Sequence, residues 1–305
     1  MNGLRLKQRL SQPHICCLPG IFDFISLKVA DALGFDALYM TGYGTVASHL
    51  GLPDAGLATY SDMVGRVQGF CASTSTPIVC DGDTGYGGLL NVDHTVRGYE
   101  KAGAAAIQLE DQEFPKKCGH TPGRRVIPID DMAAKVRVAS QARSQADSIL
   151  IIARTDARTS WGLDEALRRG ERYLKAGADI LFIESPETEE ELATIGRTFA
   201  GVPLVVNNVE GGRTPILPPK QLQEMGFSMA IYPSLGFLAA GHALREAYQN
   251  LQDRAAFRAP TTTPALHDFQ AFSLMMGFQQ VWDFDRRQAE LDEASVSPRA
   301  ESRKP

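Results

Sequence analysis

One phrase of helix, glycine and apolar strand recurs along the chain, and it limits the possible folds more than any other feature. Copies begin at Ala32, Lys101, Lys175 and Glu224, each with a glycine two residues later. Glycine is the residue favoured immediately after a helix, and in each copy an apolar run follows it closely. The runs are continuously apolar, which is typical of parallel strands covered on both faces. The sequence therefore predicts a chain of repeated strand–helix units.

Eight apolar runs can be assigned as strands within the first 252 residues. They cover His14–Leu18, Ala37–Thr41, Pro77–Asp81, Ala106–Glu110, Ile149–Arg154, Asp179–Glu184, Pro203–Asn207 and Met229–Pro233. Helical patterns lie between them, several with a capping residue at the start, as at Ser61, Asn91 and Asp130. Eight such units predict the α/β class and a closed (β/α)8 TIM barrel. An open doubly wound sheet is the alternative, but no Gly-x-Gly-x-x-Gly motif follows the first strand.

The repeat stops after Leu251, which predicts three segments. A (β/α)8 catalytic barrel is expected over residues 1–252, a linker and C-terminal helical extension over 253–292, and a disordered tail over 293–305. The extension is predicted to be helical from Ala265 to Leu291, with large apolar residues such as Trp282 and Phe284. A helix this apolar has to be covered, either by its own barrel or by a neighbouring subunit.

Charge and cysteine usage exclude several classes of protein. Lys and Arg number 31 against 36 Asp and Glu, a net charge of −5, so neither nucleic acid nor an anionic membrane is an expected partner. The longest apolar stretch, 229–241, is short of the ~20 residues that a membrane-spanning helix needs. Five irregularly spaced cysteines argue for a reducing compartment. A cytoplasmic protein is expected, although the basic N-terminal residues leave open a short import peptide.

Polar side chains gather at the carboxyl ends of the predicted strands, where TIM barrels carry their chemistry. Six of the eight strands supply one: Tyr39, Asp81, Glu110, Arg154, Glu184 and Asn207. A single acid at a strand end is usually a helix cap or a satisfied loop residue, but six groups at equivalent positions are hard to explain in that way. The sequence predicts one active site at this rim.

A metal site is predicted at the third and fourth strand ends. Asp81 and Asp83 are two residues apart, so both carboxylates point to one side if the strand continues. With Glu110 they offer an all-oxygen ligand set that suits Mg²⁺ or Mn²⁺. The alternative is an Asx-turn pair in a glycine-rich loop with no metal. Zinc is disfavoured because the cysteines and histidines lack paired ligand spacing.

The connection after the fourth strand, residues 111–128, is far longer than the usual ~2–6 residues. Its glycines and prolines predict a lid that closes over substrate. Cys118 lies among the cationic residues Lys116, Lys117 and His120, an environment that favours thiolate. The other four cysteines lie in or near apolar segments and are interpreted as core residues.

Three motifs together resemble the isocitrate lyase/phosphoenolpyruvate mutase superfamily. They are Asp81-Gly-Asp-Thr-Gly-Tyr-Gly, Glu110-Asp-Gln and Lys116-Lys-Cys-Gly-His, and the similarity runs over about residues 15–290. The Lys-Lys-Cys-Gly-His element is typical of the lyase branch. The resemblance implies a Mg²⁺-dependent barrel, with Mn²⁺ as a possible substitute. It also implies a homotetramer, a dimer of dimers whose C-terminal helices are exchanged between subunits.

The resemblance also implies roles for individual residues. The family's metal-site carboxylates match Asp81, Asp83 and Glu110, and an acid that supports them matches Asp54. Its catalytic positions match Cys118 as general acid/base, Tyr39 as the group that handles the hydroxyl proton, and Lys117 and His120 beside the cysteine. Substrate contacts are implied for Thr41, Gly42, Tyr43, Gly119, Arg154, Glu184 and Asn207. The Thr-Gly-Tyr segment differs from the Ser-Gly-Gly of methylisocitrate lyases, which counts against that narrow substrate.

The implied reaction is cleavage of a carbon–carbon bond in a small di- or tricarboxylate. A 2-hydroxy dicarboxylate of the 2,3-dimethylmalate or 2-methylisocitrate type would give a 2-oxo acid such as pyruvate and a second carboxylic acid. Hydrolysis of oxaloacetate to oxalate and acetate is the alternative on the same scaffold. Mutase-type phosphorus–carbon chemistry is disfavoured by Cys118, and a non-catalytic metal-binding protein by the complete set of rim groups.

Overall fold

The computed structural model describes residues 2–119, 121, 123–260 and 264–296. Eight parallel strands pair in chain order and close on themselves, β1 with β8, so the predicted barrel is confirmed. The strands are β1 (Cys16–Ile21), β2 (Leu38–Met40), β3 (Ile78–Asp81), β4 (Ala106–Glu110), β5 (Leu150–Thr155), β6 (Ile180–Ile183), β7 (Leu204–Asn207) and β8 (Met229–Tyr232).

Helices lie between the strands, because parallel neighbours need a crossover connection. Their bounds are α1 (Asn2–Leu10), α2 (Phe24–Ala32), α3 (Gly42–Leu50), α4 (Tyr60–Ser73), α5 (Leu89–Ala102), α6 (Ile129–Ala142), α7 (Ala157–Trp161), α8 (Leu163–Ala176), α9 (Glu189–Thr198), α10 (Pro219–Glu224), α11 (Leu235–Ala255), α12 (Phe269–Met275) and α13 (Phe278–Val296). The glycines of the repeated phrase end α5 and α8 in the left-handed conformation, at Gly103 and Gly177.

Strand residues alternate between two buried layers. One set, which includes Leu18, Val79, Ile152 and Phe182, packs inside the barrel. The other packs between the sheet and the surrounding helices, and Ile107 is one of its members. Because the side-chain period of a strand is two, the inward set continues at every second residue towards the carboxyl ends.

The strand predictions hold to within a few residues, and the largest difference is at the first strand. β1 begins at Cys16 rather than His14 and continues to Ile21, where its last residues pair with β2. The segment predicted as one helix from Ala265 to Leu291 is two helices. Gly277, with φ of 102°, separates α12 from α13, because a left-handed residue ends the helical hydrogen-bond pattern.

The chain divides into two compact units, Met1–His242 and Ala243–Pro305, so the division falls within α11. The first unit contains the whole barrel. In the second unit α13 continues to Val296, four residues into the segment predicted as a disordered tail, and the rest of that tail lies outside the described residues. In the part of the chain that the structure describes, every helix is too short or too polar to cross a bilayer.

Candidate active site

A cavity of about 280 Å³ opens at the carboxyl ends of the strands. Most of its wall is formed by inward-facing strand residues that lie beyond the hydrophobic layer inside the barrel. Asp81, Arg154, Glu184 and Asn207 lie two residues beyond members of the inner cluster, Glu110 lies four beyond Ala106, and Tyr39 is itself a member. Predicted site residues that also line the cavity are Thr41, Tyr43, Asp54, Lys117, Cys118 and Gly119. The volume is near the lower end of ligand pockets, which suits a small acid.

Two carboxylates at the end of β3 are held in different ways. Asp81 lines the cavity, and its Oδ1 accepts a hydrogen bond from the backbone N–H of Asp83 at 3.0 Å. Asp83 does not lie on a continued strand, as the alternation argument assumed, because β3 ends at Asp81 and Asp83 has φ of 47°. This is an Asx-type turn, and it places Asp83 behind the cavity wall rather than in it.

Lys116 is the partner of that turn. Its buried ammonium group lies 2.6 Å from Asp83 Oδ1 and also pairs with the carboxylate of Asp54. Burial alone would lower the pKa of Lys116, but the carboxylates of Asp83 and Asp54 outweigh it and hold that pKa well above its usual range. Lys116 therefore remains a cation, and it neutralises two acids that would otherwise be costly to bury.

Glu110 and Tyr39 lie deep in the site. Burial raises the pKa of Glu110 well above its usual range, with Arg154 opposing the shift. Its Oε2 lies 3.2 Å from Arg154 Nη1, while its buried Oε1 has no hydrogen-bond partner among the described residues. The Tyr39 hydroxyl donates to Gln108 Oε1 at 3.0 Å, and burial followed by the charge of Asp81 raises the pKa of Tyr39 well above its usual range. This arrangement favours a phenol that donates a hydrogen bond over the implied role in which Tyr39 handles the hydroxyl proton.

Arg154 is the main cation of the cavity wall. Asp156 holds it in a two-pronged contact, with Nε donating to Oδ2 and Nη2 to Oδ1, both at 2.9 Å. Burial would raise the pKa of Asp156, but Arg154 and Arg124 lower it. Arg154 also lies 3.4 Å from Glu184 Oε2, and that oxygen accepts a hydrogen bond from Asn207 Nδ2 at 3.1 Å. The guanidinium group is thus fixed on one side, as recognition of a substrate carboxylate requires.

The long connection after β4 places Cys118 at the cavity. The Cys118 N–H donates to the backbone oxygen of Asp54 at 3.2 Å. The backbone of Gly119 lies directly against Arg154, because a Cβ atom there would be 2.3 Å from Nη2. Lys117 is exposed, and its ammonium donates to Gly123 O at 3.4 Å. The predicted catalytic residue His120 lies outside the described residues.

The segment after β2 forms another part of the wall. Thr41 is buried at the start of α3. A Cβ atom on Gly42 would lie 2.5 Å from Asp81 Oδ2, so only glycine fits beneath that carboxylate. The ring of Tyr43 packs against Phe237 with centroids 5.2 Å apart and gives the cavity an apolar side.

The donor set of the site fits a divalent cation only in part. Among the described residues, no three side chains of the usual ligand types converge as a ready metal cluster. The ammonium of Lys116 already pairs with Asp83, which leaves Asp81 and Glu110 as the acids on the cavity wall. The unpartnered Glu110 Oε1 and these hard oxygen donors match the ligands that Mg²⁺ prefers.

Four residues that the sequence interpretation did not select take part in the site. They are Lys116 as the buried cation, Gln108 as the partner of Tyr39, Asp156 as the partner of Arg154, and Arg124 as a second partner of Asp156. Gln108 and Asp156 had a signal in the sequence, since each is two residues from a predicted rim residue. Lys116 and Arg124 lie in an irregular loop, where no period indicates which side chain turns inwards.

Comparison with known proteins agrees with this geometry. The family model described as phosphoenolpyruvate phosphomutase matches residues 6–252. The chain belongs to the PEP mutase/isocitrate lyase superfamily. A 2,3-dimethylmalate lyase of Eubacterium barkeri is 44% identical, over 94% of this chain and 98% of its own. A 2-methylisocitrate lyase of Bacillus subtilis (strain 168) is 36% identical, over 92% and 90%.

Solved structures of superfamily members superpose over nearly the whole chain. Oxaloacetate acetylhydrolase in complex with 3,3-difluorooxalacetate has a TM-score of 0.88 at 32% identity, covering 94% of this chain and 97% of its own. A 2,3-dimethylmalate lyase has a TM-score of 0.87 at 35% identity, covering 94% and 95%. Phosphonopyruvate hydrolase in complex with oxalate and Mg²⁺ has 0.82 at 27% identity, covering 94% and 99%.

Proposed function

We propose that this superfamily member is a carbon–carbon lyase that cleaves a 2-hydroxy dicarboxylate of the 2,3-dimethylmalate type. The observation that carries the proposal is the position of Cys118 at a small cavity that a fixed arginine, Arg154, also lines. A proton donor and a carboxylate-binding group in one cavity are what such a cleavage needs. The 44% identity to a 2,3-dimethylmalate lyase supports the same substrate class.

Mg²⁺ is the proposed cofactor, with Mn²⁺ as a substitute. Asp81 and Glu110 would hold it, since both line the cavity, and Asp83 would support the turn behind them. When bound, the cation would supply Lewis-acid stabilisation of the negative charge that develops on the 2-oxo acid half, an effect worth several kcal/mol. A related hydrolase crystallised with oxalate and Mg²⁺ supports this choice.

The chain's own residues would carry out the remaining steps. Arg154 binds a substrate carboxylate, and the Tyr39 hydroxyl, which donates to Gln108, forms a polar part of the wall beside it. The Glu184 carboxylate, which also lines the cavity, takes the proton of the substrate hydroxyl while the adjacent carbon–carbon bond breaks, and this gives pyruvate and the enolate of propionate. The Cys118 thiol then protonates the enolate carbon. The loop over the cavity excludes water that would protonate this intermediate without control.

Replacement of Cys118 tests the proposal directly. Cys118→Ser should lower the cleavage rate by at least ~10²-fold, because a hydroxyl is a much weaker acid than a thiol, while metal binding persists. Cys71→Ser is the matched control, since Cys71 lies on α4 and does not line the cavity. The assay, with Mg²⁺ or EDTA, measures 2-oxo acid release from 2,3-dimethylmalate, 2-methylisocitrate, isocitrate and citramalate, and oxalate release from oxaloacetate. Rates of Cys118→Ser within about tenfold of wild type would remove the cysteine from proton transfer.

Oxaloacetate hydrolysis is the second candidate. It is favoured by the TM-score of 0.88 to oxaloacetate acetylhydrolase. The same panel separates the two activities, because oxalate released from oxaloacetate, with no 2-oxo acid from the hydroxy acids, assigns the hydrolase.

A homotetramer with exchanged C-terminal helices, located in the cytoplasm, completes the proposal. Large apolar side chains of α12 and α13 support the assembly, since Phe269 is 82% and Phe284 54% exposed in the single chain. The location is supported by the five cysteines, all of which are thiols.

A further inference from the structure

Asp156 is shared between the cavity wall and the loop that covers it. One face of its carboxylate holds Arg154 through two hydrogen bonds of 2.9 Å. Its Oδ1 also accepts a hydrogen bond of 2.5 Å from Nη1 of Arg124, which lies near the end of the 111–128 loop. The side chains of Arg124 and Asp156 are 1% and 0% exposed, so this contact is shielded from water and salt.

Arg124 is also linked to the tip of the same loop through Ser185. Its Nη2 donates to Thr159 Oγ1 at 2.7 Å and lies 3.5 Å from Ser185 Oγ. The Ser185 hydroxyl in turn donates to the backbone oxygen of Gly119 at 3.3 Å. The end of the loop and its tip, next to Cys118, are therefore fixed to the barrel through neighbouring groups.

The loop tip and Arg154 are also in direct steric contact. Gly119 leaves no room for a Cβ atom, which would lie 2.3 Å from Arg154 Nη2 and 3.1 Å from Glu184 Oε2. The guanidinium group lies directly under the seated loop, where Asp156 holds it through two hydrogen bonds. A shift of Arg154 towards the loop therefore has to displace the loop tip.

The backbone of Asp156 is held by the buried carboxylate of Asp111. Its N–H donates to Asp111 Oδ1 at 2.9 Å, and the other oxygen of Asp111 accepts from Thr155, Arg169 and Tyr173. These buried contacts fix the backbone of Asp156, so its carboxylate offers both arginines a hydrogen-bond acceptor in a fixed position.

We propose that Asp156 and Arg124 are positioning residues that tie the seating of the loop carrying Cys118 to the orientation of Arg154. This inference rests on the proposed function, in which Cys118 donates the proton and Arg154 binds the substrate carboxylate. Substrate that engages Arg154 thereby stabilises the seated loop, and loss of the Arg124 contact weakens substrate binding although Arg124 does not line the cavity.

Neighbouring arginines in the loop provide a matched test. Arg124→Gln removes the buried contact, whereas Arg125→Gln removes an equal charge from an exposed pair with Glu113. Arg124→Gln should raise KM and lower kcat/KM by about tenfold or more, because small displacements of catalytic groups are costly. Hydrogen exchange measured by mass spectrometry should accelerate at the amides of Lys117 and Cys118, which bond to Gln112 and Asp54. Arg125→Gln should leave both readouts at the wild-type level.

A double-variant cycle with Asp156→Asn tests the coupling. If the two residues act through one contact, kcat/KM of the double variant should be about equal to that of the more impaired single variant. Should Arg124→Gln fail to fold, Asp156→Asn alone answers the same question, since it weakens the same contact from the other side and should accelerate exchange at Lys117 and Cys118, which Asp156 does not touch. Wild-type exchange and KM in Arg124→Gln, wild-type exchange in Asp156→Asn, or effects that multiply in the double variant, would overturn the inference. The exchange readout needs no turnover, so absence of lyase activity in the wild type refutes the proposed function without deciding this one.

Discussion

At the scale of single residues, the most informative contrast is between the adjacent residues Lys116 and Lys117. The side chain of Lys116 is 3% exposed and pairs with Asp54 and Asp83, while Lys117 is exposed and donates to a backbone oxygen. Removal of a buried cation leaves the negative charges of its acidic partners without a counter-ion in a low-dielectric environment. The two lysines are chemically identical, so a difference in stability between their variants reflects the environment of each side chain.

Lys116→Met is therefore expected to lower the free energy of unfolding by about 3–5 kcal/mol, the usual effect of breaking a buried ion pair. Lys117→Met should change it by less than about 0.5 kcal/mol, as at most surface positions. Urea denaturation in EDTA measures both values without interference from metal. Equal midpoints for the two variants would show that the ammonium of Lys116 is not needed by the buried acids.

The sequence also indicated which residues surround the cavity, because strand side chains alternate between two faces. Inward-facing strand residues recur with period two, so Asp81 and Arg154 could be placed at the rim from Val79 and Ile152 before them. Asp83 departed from that rule because the strand ends at Asp81, and a turn with positive φ follows. Which lysine of the loop turns inwards could not be predicted, since an irregular segment has no period.

At the scale of elements, all eight strands were predictable because parallel strands buried on both faces are continuous apolar runs. Their order around the barrel followed from the repeat alone. The C-terminal helices were less predictable. Apolar residues continue through Met275 and Phe278, and only the conformation of Gly277 divides the segment into α12 and α13.

The same helices carry a prediction about assembly. Trp282 is 48% exposed on α13, and its ring packs against Phe278 with centroids 6.0 Å apart. If this surface is covered by a neighbouring subunit, Trp282→Glu should reduce the molar mass measured by light scattering, because a buried charge without a partner is strongly unfavourable. Gln280→Glu adds the same charge to an exposed polar position of α13 and should leave the mass unchanged. An unchanged mass in both variants would count against the exchanged-helix assembly.

At the scale of the whole molecule, the two ends of the barrel differ in chemistry. The carboxyl ends of the strands carry the cavity, where buried charges depend on their partners to offset the cost of burial. The opposite end is apolar. Leu6 and Leu10 of α1 pack against Cys16, Ala37 and other residues at the beginnings of the strands, and so close the barrel interior from below.

That difference between the two ends predicts an effect on stability without an effect on the active site. Leu6 is 0% exposed, so Leu6→Ala should lower the free energy of unfolding by about 2–5 kcal/mol through lost contacts and a cavity. Leu4→Ala on the same helix, at a side chain that is 38% exposed, should cost far less. Below the melting temperature, kcat and KM of both variants should match the wild type, because α1 lies at the end of the barrel away from the chemistry. Calorimetry and steady-state kinetics on the same preparations check both statements, and a loss of kcat in Leu6→Ala at a temperature where the protein remains folded would show that the two ends are coupled through the barrel core.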